Sequence, residues 1–193
     1  MEGLGWYAYE ILKRICINHP EHEFIFLFDR KFDDKFIFSK NVKPLVLFPQ
    51  ARHPLLYYLW FEWAVPHALK KHNADLFFSP DGFASLSTKV PQLITIHDLN
   101  FEHYPNDLKK YTSLYYRHFF KRFAEKAKHI ITVSDYSKTD IVKTYQIKSE
   151  KISRIYNGVI SILKAISEAE KTSVKNRLSQ GNNYLVFVGA LHP

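Results

Sequence analysis

Cysteine is nearly absent from this chain, since Cys16 is the only one in 193 residues. A single cysteine can form neither an intrachain disulfide nor a zinc site built from several thiolates. Cys16 shares an apolar helix face with Ile11, Leu12 and Ile15, where a small buried side chain is the expected role. The sequence therefore excludes a disulfide-stabilised secreted domain and favours a cytoplasmic location.

Long apolar runs are missing as well. No stretch of the sequence approaches the roughly 20 apolar residues that span a bilayer. The first residues, Met1-Glu2-Gly3, have neither the basic start nor the apolar core of a signal peptide. The sequence also lacks a Gly-x-Ser-x-Gly elbow, a phosphate loop ending in Gly-Lys-Ser/Thr, and a His-Glu-x-x-His motif. The common hydrolase, NTPase and metalloprotease classes therefore have no support.

Positive charge is present in excess. The 27 Lys and Arg residues outnumber the 19 Asp and Glu residues, and the formal net charge is +8 at pH 7. Such a balance favours a partner with negative charge, either nucleic acid, an anionic membrane surface or a phosphorylated small molecule. The basic residues are spread over predicted helices, where a solvated helix face explains them as well as an anion-facing role does.

Short apolar strands alternate with amphipathic helices along the chain. The pattern predicts strands at 23–29, 42–48, 75–79, 93–96, 129–133, 151–156 and 184–188, and helices at 6–18, 54–72, 107–128, 136–145 and 162–180. Pro44 indicates that its strand is near a sheet edge, and Pro66 predicts a kink in its helix. The alternation implies right-handed βαβ crossovers. We therefore expect an α/β fold with a Rossmann-like, mostly parallel sheet that has helices on both faces.

Polar residues follow several of the predicted strands. His97 and Asp98 come directly after the strand at 93–96, Ser134 follows the strand at 129–133, and Pro80-Asp81-Gly82 follows the strand at 75–79. Ligands of open α/β sheets bind just beyond the carboxyl ends of the strands. His97 and Asp98 are therefore a candidate functional pair. A helix cap is the simpler role for Ser134, because a helix follows it at once.

Three glycines stand at positions that suit phosphate binding. Gly3 and Gly5 precede the first predicted helix, and a helix N-terminus offers free N–H groups and a positive dipole. Gly189 follows the last predicted strand, as at the start of a nucleotide-binding βαβ unit. A metal site made of His97, Asp98 and His103 is not expected, because adjacent residues at a strand end point apart.

Five short motifs occur in a fixed order along the chain: Glu2-Gly-Leu-Gly-Trp6, Thr95-Ile-His-Asp-Leu99 with Tyr104-Pro105, Ile131-Thr-Val-Ser134 with Ser137 and Asp140-Ile141, Ile155-Tyr-Asn-Gly-Val159, and Leu185-Val-Phe-Val-Gly189. In order and spacing the chain resembles the N-terminal half of group 1 (family four) retaining glycosyltransferases with the GT-B architecture. The resemblance covers almost the whole chain, although each motif alone is weak.

The resemblance implies two Rossmann-like domains that face each other across a cleft. Residues 1–158 would form the acceptor-side domain, and residues 159–193 the interdomain link and the first strand of a truncated donor-binding domain. The strand expected before Gly3 and most of the second domain would be missing. We therefore expect a fragment of a longer enzyme, or a shortened reading frame, that is inactive on its own.

The same resemblance implies roles for individual residues. Gly3 and Gly5 would approach the donor phosphates, with Ser134 and Gly189 as further donor-side candidates. His97 would contact the transferred sugar, and Asp98 would support that histidine or the loop around it. The complete enzyme would transfer a hexose, with mannose as one candidate, from a nucleotide sugar to a glycan or lipid-linked acceptor with retention. It would need no metal or other cofactor, and it could contact the inner face of the membrane peripherally.

A non-catalytic binding module for a polyanion, either nucleic acid or an anionic membrane, is the alternative. Tyr115-Tyr116 with Arg117, and Phe119-Phe120 with Lys121-Arg122, could combine base stacking with positive charge. Helical spacing, however, places part of this aromatic set in the core. A nucleic-acid partner is therefore not expected.

Overall fold

The chain divides into two units, residues 1–157 and residues 158–193. The computed structural model describes residues 3–159, 164–187 and 189. The sequence placed the boundary between the domains at residue 158. The assignment of the two parts to acceptor and donor binding stays a prediction.

Six strands lie among the described residues, and all of them pair in parallel. They are β1 (Phe24–Phe28), β2 (Val42–Val46), β3 (Phe77–Ser79), β4 (Gln92–Thr95), β5 (His129–Thr132) and β6 (Ile152–Arg154). β1 and β2 form a two-stranded sheet, and the other four form a sheet in the order β3-β4-β5-β6. The expected α/β fold with mostly parallel strands is confirmed. Pro44 lies in β2, which is an edge strand as predicted.

Helices connect these strands in the manner of βαβ units. They are α1 (Gly3–Asn18), α2 (Pro54–Leu59), α3 (Val65–Lys71), α4 (Asn100–His103), α5 (Lys110–Lys126), α6 (Asp135–Tyr145) and α7 (Glu168–Ser179). The short α4 was not predicted. Among the described residues, no helix has both the length and the apolar character needed to cross a bilayer.

A wide helical turn at Trp60–Ala64 joins α2 to α3, so that residues 54–71 form one continuous helical segment, the α2–α3 helix. In this turn the Val65 N–H donates to the carbonyl of Trp60. Pro66 has no N–H to offer the carbonyl of Glu62, which accepts instead from the Ser87 hydroxyl at 2.9 Å. The sequence predicted a kink at Pro66, and the structure has a wide turn at Trp60–Ala64, which ends two residues before this proline.

Glu62 fastens the α2–α3 helix to the loop that follows β3. Its carboxylate accepts hydrogen bonds from the backbone N–H groups of Leu86, at 2.8 Å, and Ser87, at 2.9 Å. Charge-assisted bonds of this kind are stronger than bonds between neutral groups. The helix and the loop are therefore held in one arrangement.

Two hydrophobic clusters form the core of residues 1–157. In the first, Ile94 and Ile130 of the four-stranded sheet pack with Phe123 of α5 and Ile141 of α6. The second centres on the α2–α3 helix, whose buried side chains contact Leu27 of β1 and Phe77 of β3, among others. The α2–α3 helix therefore packs against strands of both sheets.

The unit of residues 158–193 differs from its prediction. Its helix α7 begins with a capping box between Ser167 and Glu170, and none of its side chains is buried. Residues 184–187 form no strand, and Val188 lies outside the described residues. The large side chains of Leu185 and Phe187 are exposed. The strand predicted at 184–188 is therefore not formed by its described residues, 184–187.

Candidate functional site

A tight turn follows β3 at the edge of the four-stranded sheet. The Ser79 hydroxyl donates to Asp81 Oδ1 at 2.8 Å. Gly82 has φ = +86°, and a Cβ on it would lie 3.0 Å from Phe120 Cε1 and 3.3 Å from the carbonyl oxygen of Thr95. Only glycine fits both this backbone conformation and this space. The turn therefore has one defined shape.

His97 lies beside this turn, just beyond β4. The hydrogen-bond ladder continues one residue past β4, because the Ile96 N–H donates to the Ile131 carbonyl at 2.9 Å. His97 Nε2 then lies 2.9 Å from the carbonyl oxygen of Pro80. Because a carbonyl oxygen only accepts, Nε2 carries the proton. No described residue hydrogen-bonds to Nδ1, so this nitrogen is available to a ligand.

Tyr7 links α1 to the end of β4. Its ring is perpendicular to the His97 imidazole, with 4.6 Å between the ring centroids. Its hydroxyl lies 3.3 Å from the hydroxyl of Thr95, the last residue of β4. Edge-to-face packing of this kind is the favoured geometry of two aromatic rings. The imidazole of His97 is therefore oriented by contacts from α1 and from the turn after β3.

A hollow of about 610 Å³ opens beside these residues, and it is lined by Gly3, Leu4, Gly5, Tyr7, His97 and Asn157. The first turn of α1 thus borders the same space as the imidazole. The N–H groups of a first helical turn have no acceptor within the helix, and they lie at its positive end. A Cβ added to Gly3 would meet nothing within 4 Å. Packing within the protein therefore does not require a glycine at this position.

The carboxyl group of Asp81, in the turn after β3, has a raised pKa. Surrounding protein atoms desolvate its carboxylate and raise its pKa, whereas the hydrogen bond from Ser79 and the nearby His97 act in the opposite direction. The residue as a whole is exposed to solvent, so Asp81 lies at the surface of this edge and not in the core. It is not among the residues that line the hollow.

Two of the predicted site residues have local structural partners. Asp98 Oδ1 accepts from the Asn100 N–H at 2.9 Å, and this bond shapes the loop at the start of α4. Ser134 caps α6, because its hydroxyl oxygen accepts from the Ser137 N–H at 3.0 Å. The cap predicted for Ser134 is confirmed. The functional roles of Asp98 and Ser134 stay predictions.

The structure thus brings Gly3, Gly5 and His97 together around one hollow. Gly189 belongs to the other unit, where it is exposed. Sequence reasoning missed Tyr7 and Asn157, which line the hollow, and it did not select Asp81. The signal for Asp81 was its place directly after a predicted strand, whereas nothing in the sequence singles out Tyr7.

Metal-binding geometry is found elsewhere. Within residues 3–159, 164–187 and 189, one group of three side chains could share an ion, namely His19, Glu21 and His22, all exposed in the turn after α1. None of the three lines the hollow. His103 was not expected to bind a metal ion, and its Nε2 hydrogen-bonds to Oδ1 of Asp140 at 2.9 Å.

Comparison with known proteins identifies the family. The model of Glycosyltransferase Family 4 matches residues 1–160. The chain belongs to this family. This protein, called below the family-4 chain, is similar to the O-antigen chain mannosyltransferase RfbU of Salmonella typhimurium (strain LT2). The two sequences are 33% identical over 141 residues. That match covers 72% of this chain and 36% of the relative, so the chain spans about a third of the relative's length.

A solved structure of a glycosyltransferase from Rickettsia africae ESF-5 has a similar fold. The TM-score is 0.51, and the match covers 95% of the family-4 chain and 48% of the other protein, with 14% sequence identity. Identity this low supports the fold alone. Together with the family match, it confirms that the chain corresponds to the N-terminal domain of a group 1 glycosyltransferase.

Proposed function

We propose that this family-4 chain is the acceptor-side domain of a retaining hexosyltransferase. The complete enzyme would transfer a hexose from a nucleotide sugar to a glycan or lipid-linked acceptor. The observation that carries the proposal is the hollow that the first turn of α1 and His97 line together. The mannosyltransferase among its relatives makes mannose the first sugar to test. An acceptor of this kind would place the enzyme at the inner face of the membrane.

The first turn of α1 would stabilise the leaving group. As the bond between the sugar and the diphosphate lengthens, negative charge grows on the phosphate oxygen. Free N–H groups and the positive end of a helix stabilise such charge without reorganisation during the reaction. The open space at Gly3 would let a phosphate approach the backbone closely. No step of this scheme needs a metal ion.

His97 would hold the transferred sugar. Its Nε2 is engaged by the Pro80 carbonyl, and its Nδ1 can accept a hydrogen bond from a sugar hydroxyl. Such a bond would fix the sugar over the acceptor hydroxyl, which would attack from the face that the phosphate leaves. Accurate positioning of this kind supplies much of an enzyme's rate enhancement. Asp81 would act indirectly, by holding the turn that presents the Pro80 carbonyl.

The chain alone would not catalyse transfer, because a donor-binding domain would supply most of the contacts to the nucleotide sugar. The first experiment is to read the coding DNA on both sides of this segment. Any in-frame extension is then expressed with the chain and assayed with a panel of nucleotide sugars, GDP-mannose first, by release of nucleoside diphosphate. Transfer to a glycan acceptor supports the proposal, and the absence of transfer from every donor contradicts it.

Two substitutions test the site within that protein. His97→Gln keeps a donor for the Pro80 carbonyl but removes Nδ1, and we expect kcat/KM to fall about 100-fold, because the sugar is no longer positioned, at an unchanged urea midpoint. Gly3→Ala should raise the KM for the donor without loss of stability, because alanine is favourable in a helix. If His97→Gln lowers stability and activity equally, His97 is structural and the assigned role fails.

The alternative of a nucleic-acid module loses part of its stacking surface in the structure. Tyr115 and Phe120 are only 7% and 5% exposed, so their ring faces are not available to bases, whereas Tyr116 and Phe119 are half-buried. Salt-dependent binding of unrelated oligonucleotides by the chain would revive this alternative.

A further inference from the structure

A second surface feature lies outside the hollow. Six large apolar side chains, called here the apolar face, project into solvent from the α2–α3 helix and from α5; they are Leu55, Tyr58, Leu59, Trp63, Tyr111 and Leu114. Leu55, Trp63, Tyr111 and Leu114 are 63%, 65%, 70% and 66% exposed. Single exposed apolar residues are normal, whereas a contiguous group indicates an interaction surface.

The members of the apolar face are contiguous. Leu55 and Tyr58 from α2 meet Tyr111 and Leu114 from α5 along a groove of about 450 Å³. Leu59 and Trp63 extend the same stripe, since they follow Leu55 by four and eight residues on the exposed side of the α2–α3 helix. The opposite side of that helix is already buried in the core. The apolar face is therefore an additional apolar surface that the described part of the fold does not cover.

Positive charge borders the apolar face. Residues 109–128 contain seven Lys or Arg residues and a single acidic residue, Glu125. Lys121 pairs with Glu125, and Arg117 pairs with Glu102. Lys109 and Lys110, at the start of α5, form no ion pair with any described residue. An apolar centre with a basic border is complementary to a surface that combines hydrocarbon with negative charge.

Topology places the apolar face near the candidate site. The chain leaves the carboxyl end of β4 at His97 and reaches α5 through the short α4. Tyr111 and Leu114 lie in the first two turns of α5. This end of α5 therefore lies towards the same edge of the sheet as the imidazole.

We propose that the apolar face docks on an anionic lipid bilayer. Tyr58, Trp63 and Tyr111 have the amphipathic rings that favour the interface between headgroups and acyl chains. Lys109 and Lys110 would contact the headgroups, as basic residues next to a membrane do. A second copy of this chain is a poor occupant, because two equally basic faces repel each other. Docking of this kind rests on the proposed function, because a lipid-linked acceptor would lie in the membrane to which the apolar face binds.

Vesicle binding of the 193-residue chain tests the proposal without any substrate. Flotation with vesicles of phosphatidylcholine, with and without about 30% phosphatidylglycerol, measures the bound fraction. We expect binding to the anionic vesicles and a blue shift of tryptophan fluorescence. The variant Trp63→Ser/Leu114→Ser should bind about tenfold more weakly, because binding strength follows the buried apolar area. Lys109→Glu/Lys110→Glu should lose the preference for anionic vesicles.

Ile17→Ser is the matched control, because Ile17 is half-exposed on α1 and lies outside the apolar face. It should bind vesicles like the unaltered chain, and circular dichroism verifies that every variant is folded. The proposal is overturned if the unaltered chain ignores anionic vesicles, if Ile17→Ser weakens binding as much as Trp63→Ser/Leu114→Ser, or if that double variant instead dissociates a dimer in size-exclusion chromatography. Sugar transfer to a soluble acceptor by the complete enzyme should survive the double variant, so a failure here is distinct from a failure of the proposed activity.

Discussion

Gly82→Ala should strongly destabilise the fold. The substitution forces alanine into φ = +86°, where a residue with a Cβ loses about 1–2 kcal/mol. The new Cβ would also lie 3.0 Å from a buried ring carbon of Phe120 and 3.3 Å from the carbonyl of Thr95. The carbonyl belongs to a central strand and cannot move freely, and overpacking of this kind costs about 1–3 kcal/mol. The expected loss is therefore about 2–5 kcal/mol in the free energy of unfolding.

Urea unfolding followed by circular dichroism measures this loss. Gly158→Ala is the control, because a Cβ there would meet nothing within 4 Å, and its effect should stay within about 0.5 kcal/mol. If Gly82→Ala unfolds within about 0.5 kcal/mol of the unaltered chain, the turn relaxes easily. In that case the Pro80 carbonyl does not hold His97 in one place, and the geometric basis of the site fails.

Three further predictions concern other parts of residues 1–157. Asn41→Ala should lower the free energy of unfolding by about 1–2 kcal/mol, because the two N–H protons of Asn41 Nδ2 are shared among the carbonyls of Cys16, His19 and His22. A urea midpoint equal to that of the unaltered chain would refute this. Thr132→Val should leave the free energy of unfolding unchanged or raise it by about 1 kcal/mol, because the buried Thr132 hydroxyl has no hydrogen-bond partner among the described residues. A clear fall in that free energy would show that the hydroxyl does form a hydrogen bond. Burial raises the pKa of the Cys16 thiol to about 11. The folded state therefore holds the thiol proton more tightly than the unfolded chain does, and the free energy of unfolding should fall as the pH rises from about 9 to 11. Thermal unfolding at a series of pH values measures this fall, which a Cys16→Ala variant should lack.

Much of the fold could be predicted from local pattern. The apolar run at 93–96 predicted β4, observed at Gln92–Thr95, because a strand buried on both faces requires apolar residues in succession. The same run placed His97 at the edge of the sheet, since the carboxyl ends of parallel strands lie together. The helical period predicted a helix from residue 6, with Gly3 and Gly5 just before it, whereas α1 begins at Gly3 and includes both glycines in its first turn.

The remainder depends on contacts that local pattern does not contain. Tyr7 and Thr95 are 88 positions apart, and only the folded chain shows that α1 brings an aromatic ring against His97. The division of the strands into two sheets is likewise a property of the whole fold. Asp98 is different, because short acidic side chains readily bind a backbone N–H two residues later. Its bond to Asn100 could have been anticipated.

The hydrogen bonds of Glu62 have a consequence for genetics. Glu62 belongs to the helix that carries the apolar face, yet it holds residues 86 and 87 of the loop that starts at the Pro80 carbonyl. A displacement of about 1 Å at that carbonyl would turn the imidazole of His97 and is enough to lower the rate of an enzyme greatly. Under the proposed function, a selection for loss of sugar transfer by the complete enzyme should therefore recover Glu62 alleles that leave every group in the hollow intact. Suppressors of those alleles should map to the loop of residues 83–90, rather than to His97.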